Sequence, residues 1–302
     1  MKTILFPCEP YNLKHIDQDF ISEYEIAKLL GFNIILFSYE DLVEQNIVKL
    51  NKSPLSNIIY RGWMLHNFQY HNLYETLKQK YNVTLINSPE QYINCHYFPK
   101  LYSVVKNDTP KIVSNILYNE SMFFKKIDFK DIYLSLNIEE WRKIFSNFQK
   151  LDSDCILKDF VKSEKGTNLF FIKKDILFDD FVEMMKSFIK ARGELFNIGL
   201  IFKEYKKLKK YKEVTNEWRA FYLNHKLIIL DLNTNTSNKD FNKPPTNLVN
   251  KYSNLIDSNF FTLDFAELEN NEWIILEGGD GQVSGLTPNS NEMKFYNMLN
   301  NE

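Results

Sequence analysis

Asp264–Gly285, DFAELENNEWIILEGGDGQVSG, is the stretch that decides how the chain is read. An apolar arm (Phe260–Leu268), the pair Asn270-Asn271 and a second arm (Trp273–Glu277) make the pattern of a β-hairpin. Asn tolerates positive φ, so Asn-Asn suits a two-residue turn between strands. Such a turn pairs 269 with 272 and 268 with 273, down to Asp264 opposite Glu277. Directly opposed residues have Cβ atoms about 5 Å apart on one face, and like charges there are destabilising unless something positive lies between them. A divalent cation with oxygen ligands meets that need, and Mg2+ carried by a phosphate substrate is the usual form. The chain then enters Gly278-Gly279-Asp280-Gly281, which lets backbone approach a ligand and adds a third carboxylate. Four of the nine glycines fall between 278 and 285. A surface hairpin with solvated acids would explain one acid alone; the pair plus the glycine cluster favours a metal site.

Composition limits what surrounds this hairpin. At 302 residues, 44% hydrophobic and 15% aromatic, the chain is globular and long enough for a sizeable core. A net charge of −2 gives no global field to draw nucleic acid or an anionic membrane, so neither partner is expected. Cys8, Cys95 and Cys155 are scattered, with neither metal spacing nor a disulfide framework, which suits a reducing compartment. The N-terminal MKTILFPCEP is too short an apolar run for a signal peptide, and a cytoplasmic protein is expected.

Upstream, the first hundred residues alternate strand and helix: 3–6 stopped by Pro7, a helix ending at Gly31, 33–37, 57–60, a helix around 70–80, 83–86, then a helix opened by Ser88-Pro89. Continuous apolar strands between helices argue for an open parallel sheet, with ligands beyond the strand C-termini, where Arg61 falls. From about 105 the pattern becomes α+β: a strand at 111–113, a helix at 138–148, a hairpin of 155–161 with 168–172, and a helix from Phe178. Strands follow at 200–205, 217–223 and 226–232, the last two joined at Asn224-His225. The lysine-rich link 206–212 reads as solvated.

Several side chains could carry chemistry. Lys158 lies between Leu157 and Phe160, a costly place for an ammonium without a partner; it contacts phosphate, with Lys162 on the same face, or snorkels from an edge strand. Arg61 either pairs with a structural acid or clamps a carboxylate or phosphate, and Arg219 faces the same choice with Glu217 two residues away. No HExxH, GxSxG or GxGxxG is present, which removes zinc hydrolase, serine hydrolase and dinucleotide readings.

In order, IIYRGWML, LINSPEQY with His96 downstream, ILKDFVKS, LIFKEY, NEWRAFYL, LDFAEL and WIILEGGDGQVSGL resemble the ATP-grasp superfamily, and in detail its R2K clade, over nearly the whole chain. The resemblance implies an α/β (α+β) ATP-grasp fold: a parallel-sheet pre-ATP-grasp domain (1–105), a small subdomain (106–198) and a larger one (199–302), with nucleotide held between the two subdomains. It assigns Lys158 and Lys111 (or Lys100) to phosphates, Glu204 and Tyr205 to the adenine hinge, and Asp264 and Glu277 to metal. Most relatives place an Asn two positions after the second acid; here Gly279 stands there, so Asp280 is expected to substitute.

The chemistry that follows is ADP-forming ligation of a carboxylate to an amine, through an acylphosphate, with ATP and Mg2+. Arg219 and Lys158 would neutralise developing charge, with Glu217 nearby, and Arg61 would hold the acceptor carboxylate. The acceptor would be an amino acid, a peptide or a protein. The alternatives are a degenerate ATP-binding module acting through a partner protein, and a plain kinase.

Overall fold

The computed structural model describes residues 2–54, 56–118, 135–161, 170–236 and 241–301. The chain divides into two compact units, Met1–His96 with Leu208–Glu302, and Tyr97–Lys207.

The first unit opens with β1 (Thr3–Glu9), the antiparallel β2 (Asn12–Ile16), α1 (Ile21–Leu29) and β3 (Asn33–Phe37). Next come α2 (Tyr39–Gln45) and β4 (Ile58–Tyr60). Both β3 and β4 lie parallel to β1, and Ile4, Leu5 and Phe6 are buried, as continuous apolar strands predict. β1 runs past Pro7, whose carbonyl stays in use by accepting the Asp17 N–H at 3.1 Å. After α3 (Asn67–Tyr81), the strand expected at 83–86 is reduced to one bridge, Ile58 with Leu85. Asn82, left-handed at φ 55°, ends α3, and α4 (Pro89–His96) begins too soon for more.

The second unit contains α5 (Phe98–Val105), β5 (Ile112–Ile116), α6 (Ile138–Gln149), β6 (Cys155–Lys158), β7 (Phe171–Ile172), α7 (Phe178–Arg192) and β8 (Gly199–Glu204). Its strands form an antiparallel sheet in the order β5-β8-β6-β7. Trp141, Ile144 and Phe148 of α6 and Phe181, Met185 and Phe188 of α7 recur at helical spacing and bury against Leu157 and Phe202. The Asn137 side chain caps α6 by accepting from the Glu139 and Glu140 N–H groups, and Glu140 accepts from Asn137 N in return. Gly199 is required by close approach, because a Cβ there would stand 2.0 Å from Asn115 O.

The chain then re-enters the first unit through the short hairpin β9 (Lys210–Tyr211) and β10 (Val214–Thr215). In the lysine-rich link Lys207, Lys210 and Lys212 are exposed, as expected, while Lys209 Nζ and Tyr211 OH both donate to the buried Glu267 at 2.9 Å. The strands β11 (Glu217–Leu223) and β12 (Lys226–Leu232), the helix α8 (Thr246–Lys251), the strands β13 (Phe260–Glu267) and β14 (Trp273–Asp280) and the helix α9 (Glu292–Asn301) complete it. Their sheet is antiparallel, in the order β12-β11-β13-β14. One core joins Ile4 and Phe6 of β1 to Phe221, Phe260, Phe295 and Leu299.

Candidate functional site

The hairpin that organises the sequence is present, with its register reached by a different route. Leu268 N donates to Glu272 O and Asn271 has φ 66°, so the turn holds three residues, 269–271, with the last left-handed. That moves the upper ladder by one, pairing Glu267 with Trp273 and Phe265 with Ile275. A bulge at Leu276 restores the step, and Asp264 faces Glu277 as expected. A second bulge, at Ile228, places Asp231 opposite Arg219. Asp231, Arg219, Asp264 and Glu277 thus form one row across four strands.

Within that row the positive charge beside Asp264 is Arg219. Its Nε and Nη2 donate to the two Asp264 oxygens at 2.8 and 2.7 Å, and its Nη1 donates to Gly285 O at 3.0 Å. Burial opposes the guanidinium charge, but Asp264, Glu277 and Glu217 outweigh it and raise the pKa of Arg219. Glu217, the partner suggested by spacing, instead accepts from the Thr215 hydroxyl at 2.5 Å. A cross-strand acid wins because the fork meets it with two parallel bonds. An ionised carboxylate offers about four lone-pair sites, so Asp264 keeps acceptor capacity for a cation beyond Arg219.

Asp280 does not join this set. It lies three residues from Glu277 and therefore on the opposite face of β14. There it is fully buried, accepting from Asn87 Nδ2 at 2.5 Å and Gln282 N at 2.8 Å, with Tyr70 and Cys95 close by. Burial pushes its carboxyl up to about 7, against the hydrogen bonds of Asn87 and Gln282. Among the described residues no group of three or more His, Cys, Asp or Glu side chains is placed to hold a metal. Mg2+ is commonly bound through one or two carboxylates plus substrate phosphate, and the Asp264–Glu277 pair fits that requirement.

Arg61, expected to meet an acceptor carboxylate, is committed inside the unit. Its Nε and Nη2 donate to both oxygens of Glu23 at 2.9 Å, and its Nη1 donates to Gly281 O at 2.7 Å and Ser284 O at 2.8 Å. Phe295 covers the guanidinium at 5.3 Å. The acid lies on α1, which no reading of the 61–63 neighbourhood alone reveals. Together Arg61 and Arg219 fix the 281–285 turn through its carbonyls.

In the second unit, Lys158 is buried and its Nζ stands 5.3 Å from the Phe98 ring centroid. Lys203, which the sequence reading passed over, is equally buried and stands 4.2 Å from the same ring. Lys158 pairs with Ile201 and Lys203 lies two residues further along β8, so both lysines share a face. The signal was present in LIFKEY, a lysine closing an apolar strand. Glu204 accepts at its carboxylate from Lys206 Nζ at 2.7 Å and from the N–H of the exposed Lys111 at 3.4 Å, and donates its own N–H to Lys111 O at 2.9 Å. Tyr205 is exposed, its ring edge-on to Phe171 at 5.0 Å. Lys162 and the 163–167 loop lie outside the described residues.

This architecture matches solved ATP-grasp structures. The RimK domain ATP-grasp protein of Sphaerobacter thermophilus superposes with a TM-score of 0.60 at 10% identity, covering 99% of this chain and 98% of that one. D-cycloserine synthetase DcsG gives 0.57 at 10%, with 98% of each chain covered. D-alanyl-alanine synthetase A of Vibrio cholerae gives 0.55 at 12%, covering 99% and 93%. The fold is ATP-grasp. Residues 139–299, more than half of the chain, match the model of the ATP-grasp domain, R2K clade family 3, and the chain belongs to that family. No curated protein matches the sequence. Among the described residues no helix is long and apolar enough to cross a membrane.

Proposed function

We propose that this protein is an ATP- and Mg2+-dependent ligase that joins a carboxylate to an amine and releases ADP. The observation that carries the reading is the Asp264–Glu277 pair, brought face to face by a bulge and flanked by a doubly bonded arginine. Bound Mg2+ supplies charge neutralisation for the ATP phosphates. Asp264 and Glu277 would hold it, and Arg219 keeps Asp264 aimed. Lys158 and Lys203, which share a face, meet phosphate oxygens in this reading. Lys111 and Lys162 are further phosphate contacts in this reading, and Glu204 and Tyr205 take the adenine. Phosphoryl transfer to a carboxylate oxygen gives an acylphosphate and ADP; an amine then forms the C–N bond as phosphate leaves. The acceptor is an amino acid, a peptide or a protein terminus, and a soluble, cytoplasmic setting suits it. Arg61 acts here as a positioning residue for the 281–285 turn. Two proteins of the same fold, named as synthetases of D-cycloserine and of D-alanyl-alanine, support a ligase reading.

A second reading, an ATP-binding module without ligase turnover, is favoured by Arg219 occupying both Asp264 oxygens. One assay bears on both: ADP release from Mg·ATP with pooled amino acids and small peptides, beside Asp264→Asn. Release that needs an added carboxylate and Asp264 supports the ligase, and product mass excludes a kinase. ATP binding without release from any pool leaves two readings, the module and a ligase whose acceptor is a macromolecule absent from the pools.

A further inference from the structure

Gly279 lies two residues beyond Glu277 on β14, so the two share a face, and its ladder partner Thr262 shares that face with Asp264. The φ of Gly279 is not left-handed, so its backbone suits any L-residue; what is limited is space. A Cβ there would stand 3.2 Å from Ser284 Oγ, 3.5 Å from Thr262 Oγ1 and 4.0 Å from His96 Nδ1. Three polar atoms from three separate segments converge on one point beside the acid pair, and all three residues are buried.

The hydroxyl hydrogens are already directed elsewhere. Ser284 Oγ donates to Asp280 O at 2.8 Å, while Thr262 Oγ1 has Ser284 Oγ at 3.0 Å and Gly279 O at 3.4 Å as acceptors. Lone pairs are therefore what the two oxygens turn toward the cradle, which suits a ligand that donates. Water in the shell of a cation is such a ligand, since its oxygen faces the ion and both hydrogens face outward. Mg2+ dehydrates reluctantly and keeps several waters beside one or two carboxylates, and outer-shell partners orient them. A held water needs two to four polar partners.

We infer that His96, Thr262 and Ser284 hold the hydration shell of the cation that Asp264 and Glu277 bind, and that Gly279 stays small to admit it. This rests on the metal assignment proposed above. The arrangement favours cations that retain water, Mg2+ and Mn2+, over Ca2+, which takes six to eight direct oxygen ligands. Ser284 is placed in advance, because Arg61 and Arg219 bond the carbonyls of Gly281, Ser284 and Gly285.

The test is Mn2+ titration of the full chain with the non-hydrolysable nucleotide AMPPNP, following by electron paramagnetic resonance the Mn2+ taken up beyond that bound by the nucleotide alone. Asp264→Asn abolishes uptake. Ser284→Ala, Thr262→Val and Gly279→Ala each weaken it about tenfold, and Ca2+ competes better in all three. Thr262→Ser, which keeps the hydroxyl, binds as the parent does and guards against a merely folding-related loss. Unchanged Mn2+ affinity in Ser284→Ala, Thr262→Val and Gly279→Ala, with Asp264→Asn inactive in uptake, overturns the hydration role alone. Uptake indifferent to Asp264→Asn overturns the metal assignment and this inference with it.

Discussion

Two carboxylates on the same hairpin, Glu267 and Asp280, are buried to 1% and 0% exposure, yet they titrate in opposite directions. Burial pushes both upward. Glu267 is nevertheless held below its ordinary value by donors from Asn216, Asn242, Lys209 and Tyr211, of which Lys209 brings a full positive charge at 2.9 Å. Asp280 receives amide donors from Asn87 and Gln282, and its cationic neighbour Arg61 is already bound to Glu23; its pKa rises to about 7. Equal exposure, then, decides little: Asp280 lies deeper in the protein, where burial weighs more, while Glu267 gathers four donors, the amides of Asn216 and Asn242 foremost, with Lys209 and Tyr211 beside them.

The largest test of that contrast removes the distant cation. Arg61→Met leaves the part-buried Glu23 with the Tyr296 hydroxyl but no cation and should cost about 3–5 kcal/mol, read as a drop in the urea midpoint; a loss under 1 kcal/mol would show that Glu23 is rehydrated. It should also raise Asp280 further, since Arg61 lowers it.

Glu267→Gln comes next, at about 2–3 kcal/mol at neutral pH. The sign follows from the lowered pKa: the contribution of Glu267 is complete above its ordinary 4.5 and is lost as pH falls through the folded value. Parent and variant midpoints should therefore converge in acid. Parallel curves would contradict the lysine-bonded picture.

Asp280→Asn is the mirror case. The folded pKa is raised, so stability is present at low pH and lost as pH climbs from about the ordinary 3.8 to about 7. The asparagine variant should lack that decline, whatever its absolute stability. The smallest effect is expected at the tip, where Asn271→Gly at φ 66° should change the midpoint by only a few tenths of a kcal/mol.

Much of this hairpin was legible in the sequence. Two apolar arms about an Asn pair are enough to place the two strands and the turn between them. The turn length and the Leu276 bulge were not legible, because an extra unpaired residue leaves no mark in composition; two one-residue departures cancelled at the acids. The face of Asp280 was not legible, because the glycines after Glu277 read as the end of the strand; β14 runs on to Asp280, and three steps along a strand reverse the side chain. Arg219 has an acid two residues away in its own strand, while its actual partner comes from the neighbouring strand, which only the sheet order supplies. Arg61 fails for the same reason, its acid being on α1. Local pattern carries strands, helices and turns; the partner of a buried charge depends on tertiary packing.

The first unit is assembled from both ends of the chain, with the second unit intervening. During synthesis the nascent strands of β1, β3 and β4 leave the ribosome well before Phe260 and Phe295, with which they share a core. At about 5–20 residues per second that interval is on the order of 10–40 s. The intervening segment, whose helices and strands are consecutive, can fold during that wait. Leu73, Leu77 and Tyr92 meanwhile cover one face of the opening strands from within the first hundred residues, and the face that meets Phe260 and Phe295 is completed last.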